Sequence, residues 1–288
     1  MKVKAFAKIN LGLEVLRKRK DGYHDIRTLF QSISFHDSIE LKISSSGKIL
    51  INGSDQSISW GTDNLVYKAA YIMKEQSKNN PGLDIWVKKN IPAGAGLGGG
   101  SSDAAAILLA LNRMLGLSLR KEELRELAKG LGADVPYFLE GGLCIGTDKG
   151  DKISLIDDLP THFCVLALEG TFVSTRSVYK SFGENLTSRD KGSKIIEFLD
   201  TKRLGCLEND LEETVFHLHP QIKDVKSLII KMDPVLALVS GTGSVVFGLF
   251  ERKKKARSAF EDIKKVYPAV LAETLNREQY WSSLTHGV

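Results

Sequence analysis

The chain of 288 residues reads as an α+β protein in two domains. Strand-like alternation and helix-like spacing are mixed along its whole length, without the regular strand–helix–strand repetition of a parallel α/β fold. The early strand-like runs follow one another in hairpin fashion. The length exceeds one typical domain and suffices for a large buried core. The composition shifts little along the chain. The boundary is placed in "GTDKGDKISLIDDLP", so that residues 1–155 form the N-terminal domain and 156–288 the C-terminal one.

Residues 3–15 alternate strictly, with Val3, Ala5, Ala7, Ile9, Leu11, Leu13 and Val15 apolar. Period two predicts a strand with one buried face. Lys8 and Asn10 share the other face, ~6.6 Å apart at strand rise. Further strands are predicted at 30–35, 38–43, 48–53 and 83–89, with 21–33 containing a turn that ends in Tyr23 and His24. Helical spacing marks 63–76. Ser101 to Leu115 is alanine- and leucine-rich and apolar nearly all round, which predicts a buried helix stopped by Gly116. A helix over 120–131 follows Ser118 as N-cap. The second half predicts a strand at 162–168, a polar loop at 183–193, helices at 194–203, 207–217, 221–231 and 254–266, and two strands around a glycine turn in "LVSGTGSVVFGLF" (238–250).

Composition excludes several function classes. A net charge of +5 fits handling of anionic small molecules, whereas nucleic-acid binding calls for clustered basic stripes. The one compact basic run, "ERKKKARSAF", reads as the solvated start of a helix. Cys144, Cys164 and Cys206 are odd in number and widely spaced, which argues for reduced thiols rather than disulfides or a zinc site. No run approaches the ~18 apolar residues of a membrane span, and no signal peptide is recognised. A cytoplasmic protein without membrane or nucleic-acid partners is expected.

The chemistry concentrates in "IPAGAGLGGGSSDAAAILLALN". Five glycines fall between 94 and 100, directly ahead of the predicted helix. A helix N-terminus carries unpaired N–H groups and partial positive charge, and glycine lets an anion approach the backbone. The stretch therefore reads as a phosphate cradle. It lacks the Lys-Ser/Thr pair of a P-loop. Ser101 and Ser102 add hydroxyls for phosphate or magnesium, and Asp103 suits the helix dipole or a magnesium ion. Asp134, in "GLGADVPYF", is either the N-cap of a short turn or a carboxylate beside the cradle. Lys8 is either a structural ion-pair partner or a holder of an anion. Tyr23-His24 is either packing or an aromatic platform for a ligand base. "VSGTGSVVFG" is a tight turn or a second glycine loop. His217 and His219, without a third ligand nearby, read as structural.

"PAGAGLGGGSSDAAA" resembles the phosphate-binding motif of the GHMP kinases, the family of galactokinase, homoserine kinase and mevalonate kinase, and "SGTGSVVFGLF" resembles its C-terminal glycine motif. "AKINLGLEVLRKRKDGYHDIRTLFQSI", "GADVPYFLEGG", "STRSVYKSF" and "LENDLE" narrow the likeness to the branch acting on 4-diphosphocytidyl-2-C-methyl-D-erythritol, and together they span almost the whole chain. The resemblance implies a two-domain GHMP kinase fold. Its N-terminal, ATP-binding domain is like the second domain of ribosomal protein S5, its C-terminal domain is ferredoxin-like, and the active site lies in the cleft between them. It implies transfer of the ATP γ-phosphate to the 2-hydroxyl of that alcohol, with Mg2+, by a monomer or homodimer. By position, Asp134 matches the catalytic base and Lys8 its charged partner. Asn10 and Gly241 match substrate contacts, Tyr23 and Tyr179 groups flanking the cytosine, and His24 the reader of its polar edge. Pro92 and Gly94 lead into the ATP phosphate loop, formed by Gly96, Leu97, Gly98, Gly99, Gly100, Ser101 and Ser102. Asn64 and Lys89 match the adenosine end, and no protein metal ligand is assigned. Ala95 and Thr242 stand where the family also has glycine and serine. A homoserine- or mevalonate-type kinase, and a non-catalytic nucleotide-binding protein of the same fold, are the alternatives. The first would have no use for the Tyr23-His24 segment, and the Lys8 and Asp134 pair speaks against the second.

Overall fold

A computed structural model describes residues 1–184 and 192–284. Strands β1 (Lys2–Lys18) and β2 (His24–Ser44) form a long antiparallel ribbon. With β3 (Ile49–Gly53), β4 (Gly82–Lys88), β5 (Leu143–Thr147) and β6 (Lys152–Leu155) they make a six-stranded sheet, in which β3 pairs parallel to β4. Against it pack α1 (Leu65–Glu75), α2 (Gly99–Met114), α3 (Lys121–Leu131) and the single turn α4 (Val135–Phe138). The second half follows with β7 (Phe163–Ala167), α5 (Thr175–Glu184), α6 (Lys194–Thr201), α7 (Glu212–Leu218), α8 (Pro220–Ile230), β8 (Leu236–Val239), β9 (Val246–Phe250), α9 (Lys253–Ile263), β10 (Ala269–Glu273) and α10 (Arg277–Leu284). Its sheet is antiparallel in the order β10-β7-β9-β8. Segregated sheets with helices packed on them are the α+β architecture expected from the sequence.

Strand β1 departs from the half-buried strand its alternation predicts, because both faces are covered. Its odd-numbered face runs through three cores in turn: Val3 and Ala5 in the first, Ala7, Ile9 and Leu11 in the second, Leu13 and Val15 in the third. On the other face Phe6, Lys8 and Asn10 are also buried. α2 lies across that region, where Ser102 donates from Oγ to the Phe6 carbonyl at 2.7 Å.

The runs 30–35 and 38–43 are one strand, which reaches back to His24 and confines the turn to the residues before it. Pairing with β1 carries β2 through the polar break at His36-Asp37. A β-bulge between Phe6 and Lys8 absorbs the irregularity there. α2 starts at Gly99, two residues before Ser101, with Gly98 as N-cap. α3 is capped at Arg120, whose N–H donates to the Glu123 carboxylate at 2.8 Å. Ser118, left-handed at φ +55°, is not the cap. The helix expected from 207 begins only at Glu212, because the preceding residues serve β1. Leu13 N donates to the Glu208 carbonyl and Asp210 N donates to the Leu13 carbonyl. Of the stretch 183–193, Gly183 and Glu184 end α5 and 192–193 lead into α6, while 185–191 lie outside the described residues. The three cysteines are free thiols, two of them buried.

Candidate active site

Two glycine turns meet where the two sheets adjoin. The first, Gly94–Gly98, precedes α2. The second, Ser240–Gly243, joins β8 to β9. They are in direct contact: Ser240 donates from Oγ to the Gly96 carbonyl at 2.8 Å, and Val245 N donates to the Ala95 carbonyl at 3.3 Å. Gly96 has φ +78°, and a Cβ there would lie 2.0 Å from the Ser240 carbonyl oxygen. Only glycine fits both the backbone angle and the approach. β1 runs beneath both turns, held by Lys8 N donating to the Leu97 carbonyl at 3.0 Å and Asn10 N donating to Ser240 Oγ at 3.3 Å.

A cleft of about 1140 Å³ opens over this junction. Lys8 projects into its floor with only 5% of its side chain exposed, and its Nζ stands 3.5 Å from Asp134 Oδ2. Asp134 precedes α4 at the N-cap position, yet its side chain makes no capping bond. Of the two readings open from the sequence, the geometry supports the carboxylate facing the lysine. That carboxylate is one-third exposed and reachable from the cleft. Lys8 Nζ also donates to Asn10 Oδ1 at 2.6 Å, and the Asn10 Nδ2 donates to Thr28 Oγ1 at 2.8 Å. Gly241, with φ +59°, sits so close that a Cβ would lie 3.2 Å from Asn10 Oδ1. Asn209, buried, pins this turn by donating from Nδ2 to the Gly241 and Val239 carbonyls at 2.7 and 3.0 Å.

At one end of the cleft His24 is buried and stacks on Tyr179, with ring centroids 5.3 Å apart. Among the described residues its Nε2 has no hydrogen-bond partner. Burial, reinforced by Lys18, holds the imidazole below its ordinary value, so the ring is neutral at neutral pH. Burial likewise raises the Tyr179 phenol. Tyr23 is largely exposed, with the Lys149 ammonium 4.4 Å over its ring. The result is a neutral imidazole with a free ring nitrogen between aromatic surfaces, open to a planar polar ligand.

At the other end, Pro92, Gly94, Gly96, Gly98, Gly99, Gly100 and Ser101 line the cleft along the N-terminus of α2. Two members of the predicted loop do not. Leu97 is fully buried, and the Ser102 hydroxyl is turned inward to Phe6, because position 102 falls on the face of α2 that packs on β1. Asn64 lines the cleft while capping α1, accepting from Val66 N at 2.9 Å. Lys89 lines it too, but its ammonium is buried between Asp37 and Asp103, 2.7 Å from Asp103 Oδ2. Asp37 Oδ1 also accepts from Asn90 N and Ile91 N, tying down the approach to the glycine loop. Burial, with Asp37 alongside, pushes the Asp103 carboxyl up to about 7 against the pull of Lys89. Asp103 therefore serves Lys89 rather than the helix dipole, and its Oδ1 has no partner among the described residues. Trp60, Thr175, Arg176 and Lys180 also line the cleft and were not singled out from the sequence. Thr175, Arg176 and Lys180 fall inside the quoted "STRSVYKSF", where helical spacing alone gives no reason to choose them. Among the described residues no group of three or more His, Cys, Asp or Glu could hold a metal ion, and no helix is long and apolar enough to cross a membrane.

The comparisons with known proteins concern the chain as a whole. Residues 64–142 match the GHMP kinases N terminal domain, and residues 195–269 match the GHMP kinases C terminal domain. A 4-diphosphocytidyl-2-C-methyl-D-erythritol kinase of Prosthecochloris aestuarii is 39% identical over 93% of this chain and 95% of its own length. The protein of that name from Clostridioides difficile is 35% identical over 94% and 93%. A crystal structure of 4-(cytidine 5'-diphospho)-2C-methyl-D-erythritol kinase superposes with TM-score 0.83 at 35% identity, covering 95% of this chain and 99% of that one. Methanococcus jannaschii mevalonate kinase, at 16% identity and TM-score 0.75 over 96% of this chain and 98% of its own, shares the fold. Two domain models that together span more than half of the sequence, and relatives this similar end to end, establish that the chain belongs to the GHMP kinase family.

Proposed function

We propose that the protein transfers the γ-phosphate of ATP to the 2-hydroxyl of 4-diphosphocytidyl-2-C-methyl-D-erythritol, a step of the non-mevalonate route to isoprenoid precursors. The observation that carries this reading is one cleft with a phosphate-binding helix end at one side, the Lys8–Asp134 pair in its floor, and the His24–Tyr179 stack at the other. ATP would lie with its phosphates on the glycine loop and its adenosine toward Asn64. Phosphoryl transfer needs alignment and charge compensation more than covalent help. Asp134 accepts the proton of the 2-hydroxyl as that oxygen bonds to the γ-phosphorus and the bond to the β-phosphate oxygen breaks, releasing ADP. The Lys8 ammonium compensates charge on the moving phosphoryl group and steadies the carboxylate. The Ser101 hydroxyl and Asp103 Oδ1, which has no partner among the described residues, are oxygen donors of the kind Mg2+ takes, and the ion arriving with ATP would neutralise phosphate charge there. His24 Nε2 and backbone nearby read the cytosine edge between Tyr179 and Tyr23. In this reading residues 1–155 supply the ATP side and 156–288 close the cleft, and the enzyme works in the cytoplasm as a monomer or homodimer.

The test is ADP release, followed by a coupled assay with Mg2+ and with the cytidyl alcohol, mevalonate or homoserine offered separately. Turnover with the cytidyl alcohol alone is expected. Turnover with mevalonate or homoserine instead would keep the kinase and discard the cytosine pocket.

A further inference from the structure

The two ends of an asparagine amide have the same shape, and only hydrogen bonding decides which way it points. For Asn10 the decision is forced from behind the site. Thr28 is completely buried on β2, and its hydroxyl has one proton. That proton goes to the Gly12 carbonyl at 2.8 Å, a group that can only accept. Gly12 lies at a bulge in the pairing of β1 with β2, where regular ladder bonds lapse. The Thr28 oxygen is therefore left with lone pairs alone to offer Asn10, 2.8 Å away. The amide nitrogen must face Thr28, and the amide oxygen must face Lys8 Nζ, which it meets at 2.6 Å. With the amide reversed, an NH2 group would abut the ammonium and an oxygen would abut an oxygen, at three side chains that are all buried.

We propose that Thr28 is a positioning residue for phosphoryl transfer: by dictating the polarity of the Asn10 amide it holds the Lys8 ammonium in line with Asp134. Thr28 does not reach the cleft, so it acts only through Asn10. The inference rests on the role given above to Lys8, but not on which alcohol is the acceptor.

Three variants separate polarity from packing. Thr28→Val keeps the shape and removes the hydroxyl; Thr28→Ser keeps the hydroxyl. Thr28→Val is expected to lower kcat by about tenfold to a hundredfold, as small misplacements of reacting groups do, with KM for ATP within about twofold. Thr28→Ser should restore most of the rate. In an Asn10→Ala background, Thr28→Val should cost nothing further, because the amide it directs is gone. An unchanged kcat in Thr28→Val, an equal loss in the serine variant, or a full additional loss in the Asn10→Ala background would each overturn the proposal. A second measurement needs neither turnover nor a folded valine variant. In the unsubstituted protein, nuclear Overhauser contacts from the Asn10 Nδ2 protons should reach the Thr28 side chain, and their absence would overturn the assigned polarity directly. That spectrum does not depend on the acceptor, so failure of the cytidyl reading and failure of this inference are distinguishable.

Discussion

Lys8 brings an ammonium group to the floor of the cleft with almost no surface exposed, and the groups around it are arranged to answer that charge. Asn10 Oδ1 accepts from it, Asp134 faces it, and the Phe30 ring lies 5.4 Å from its Nζ. Neutralising one member should leave the fold intact and stop the chemistry. Asp134→Asn is expected to lower kcat by about a hundredfold to ten-thousandfold while ATP still binds, the range of a general base. Single-turnover rates beside an ATP titration check this, and an unchanged rate would remove Asp134 from the role. At the far end of the cleft, His24 gives a pH signature. Its imidazole is depressed by burial, so the neutral form persists at least down to the ordinary value of about 6.5. KM for the cytidyl alcohol should stay level from pH 8 to about 6.5 and rise only at more acid pH, as the ring takes up a proton. Because the folded protein resists that proton more than the unfolded chain does, thermal stability also declines as pH falls below the ordinary value. A KM that climbs already above pH 7 would point to a different titrating group.

The glycine turns show how local sequence and distant contact divide the work. That 94–100 would cradle an anion ahead of a buried helix was legible, because bare backbone, helix propensity and the dipole are properties of consecutive residues. The period of β1 was legible for the same reason. What was not legible depends on pairing across the chain. β6, β10 and α10 are short; β10 exists because β7 offers it an open edge, and Tyr280 on α10 finds the Phe138 carbonyl at 2.7 Å. The inward turn of Ser102, the burial of Lys89 and the bond from Thr28 to Asn10 likewise require the second partner to be known. By its neighbours in the sequence alone Asp134 fits two readings, and the approach of Lys8 from β1 is what distinguishes them. At this scale Gly96 makes a sharp prediction. Gly96→Ala forces a methyl group onto the Ser240 carbonyl in a left-handed backbone. It should destabilise the protein by about 2–3 kcal/mol, the combined scale of overpacking and backbone strain, and weaken ATP binding in parallel. Denaturant unfolding and calorimetric titration check the two together, and an alanine variant of ordinary stability would mean that the turns are not held against each other.

Across the whole molecule the two sheets do not behave as separate bodies joined by a linker. The second core takes Ala7, Ile9 and Leu11 from β1 together with Leu166 from β7, Phe247 from β9 and Ala272 from β10. An isolated bridge also joins Ile33 to Thr274. Unfolding should accordingly be a single transition, with calorimetric and van't Hoff enthalpies in a ratio of about one. Two resolved transitions would show that the halves are thermodynamically independent. The shared strand has a further consequence during synthesis. β1 is made before the elements it packs against, and Val3 and Ala5 can settle once the helices of the first half have been made. The middle of the same strand is completed later. Ala7, Ile9 and Leu11 meet Leu29 and Ile33 of β2 early, but Leu166, Phe247 and Ala272 close their core only when β7, β9 and β10 have emerged, so part of that apolar face stays open while the second half is made. Lys8, between those residues, finds Asn10, Leu97 and Asp134 within the first half, while the turn at Gly241 comes up beside it only once β8 has been made. The cleft, lined from both halves, is therefore completed as a unit rather than half by half.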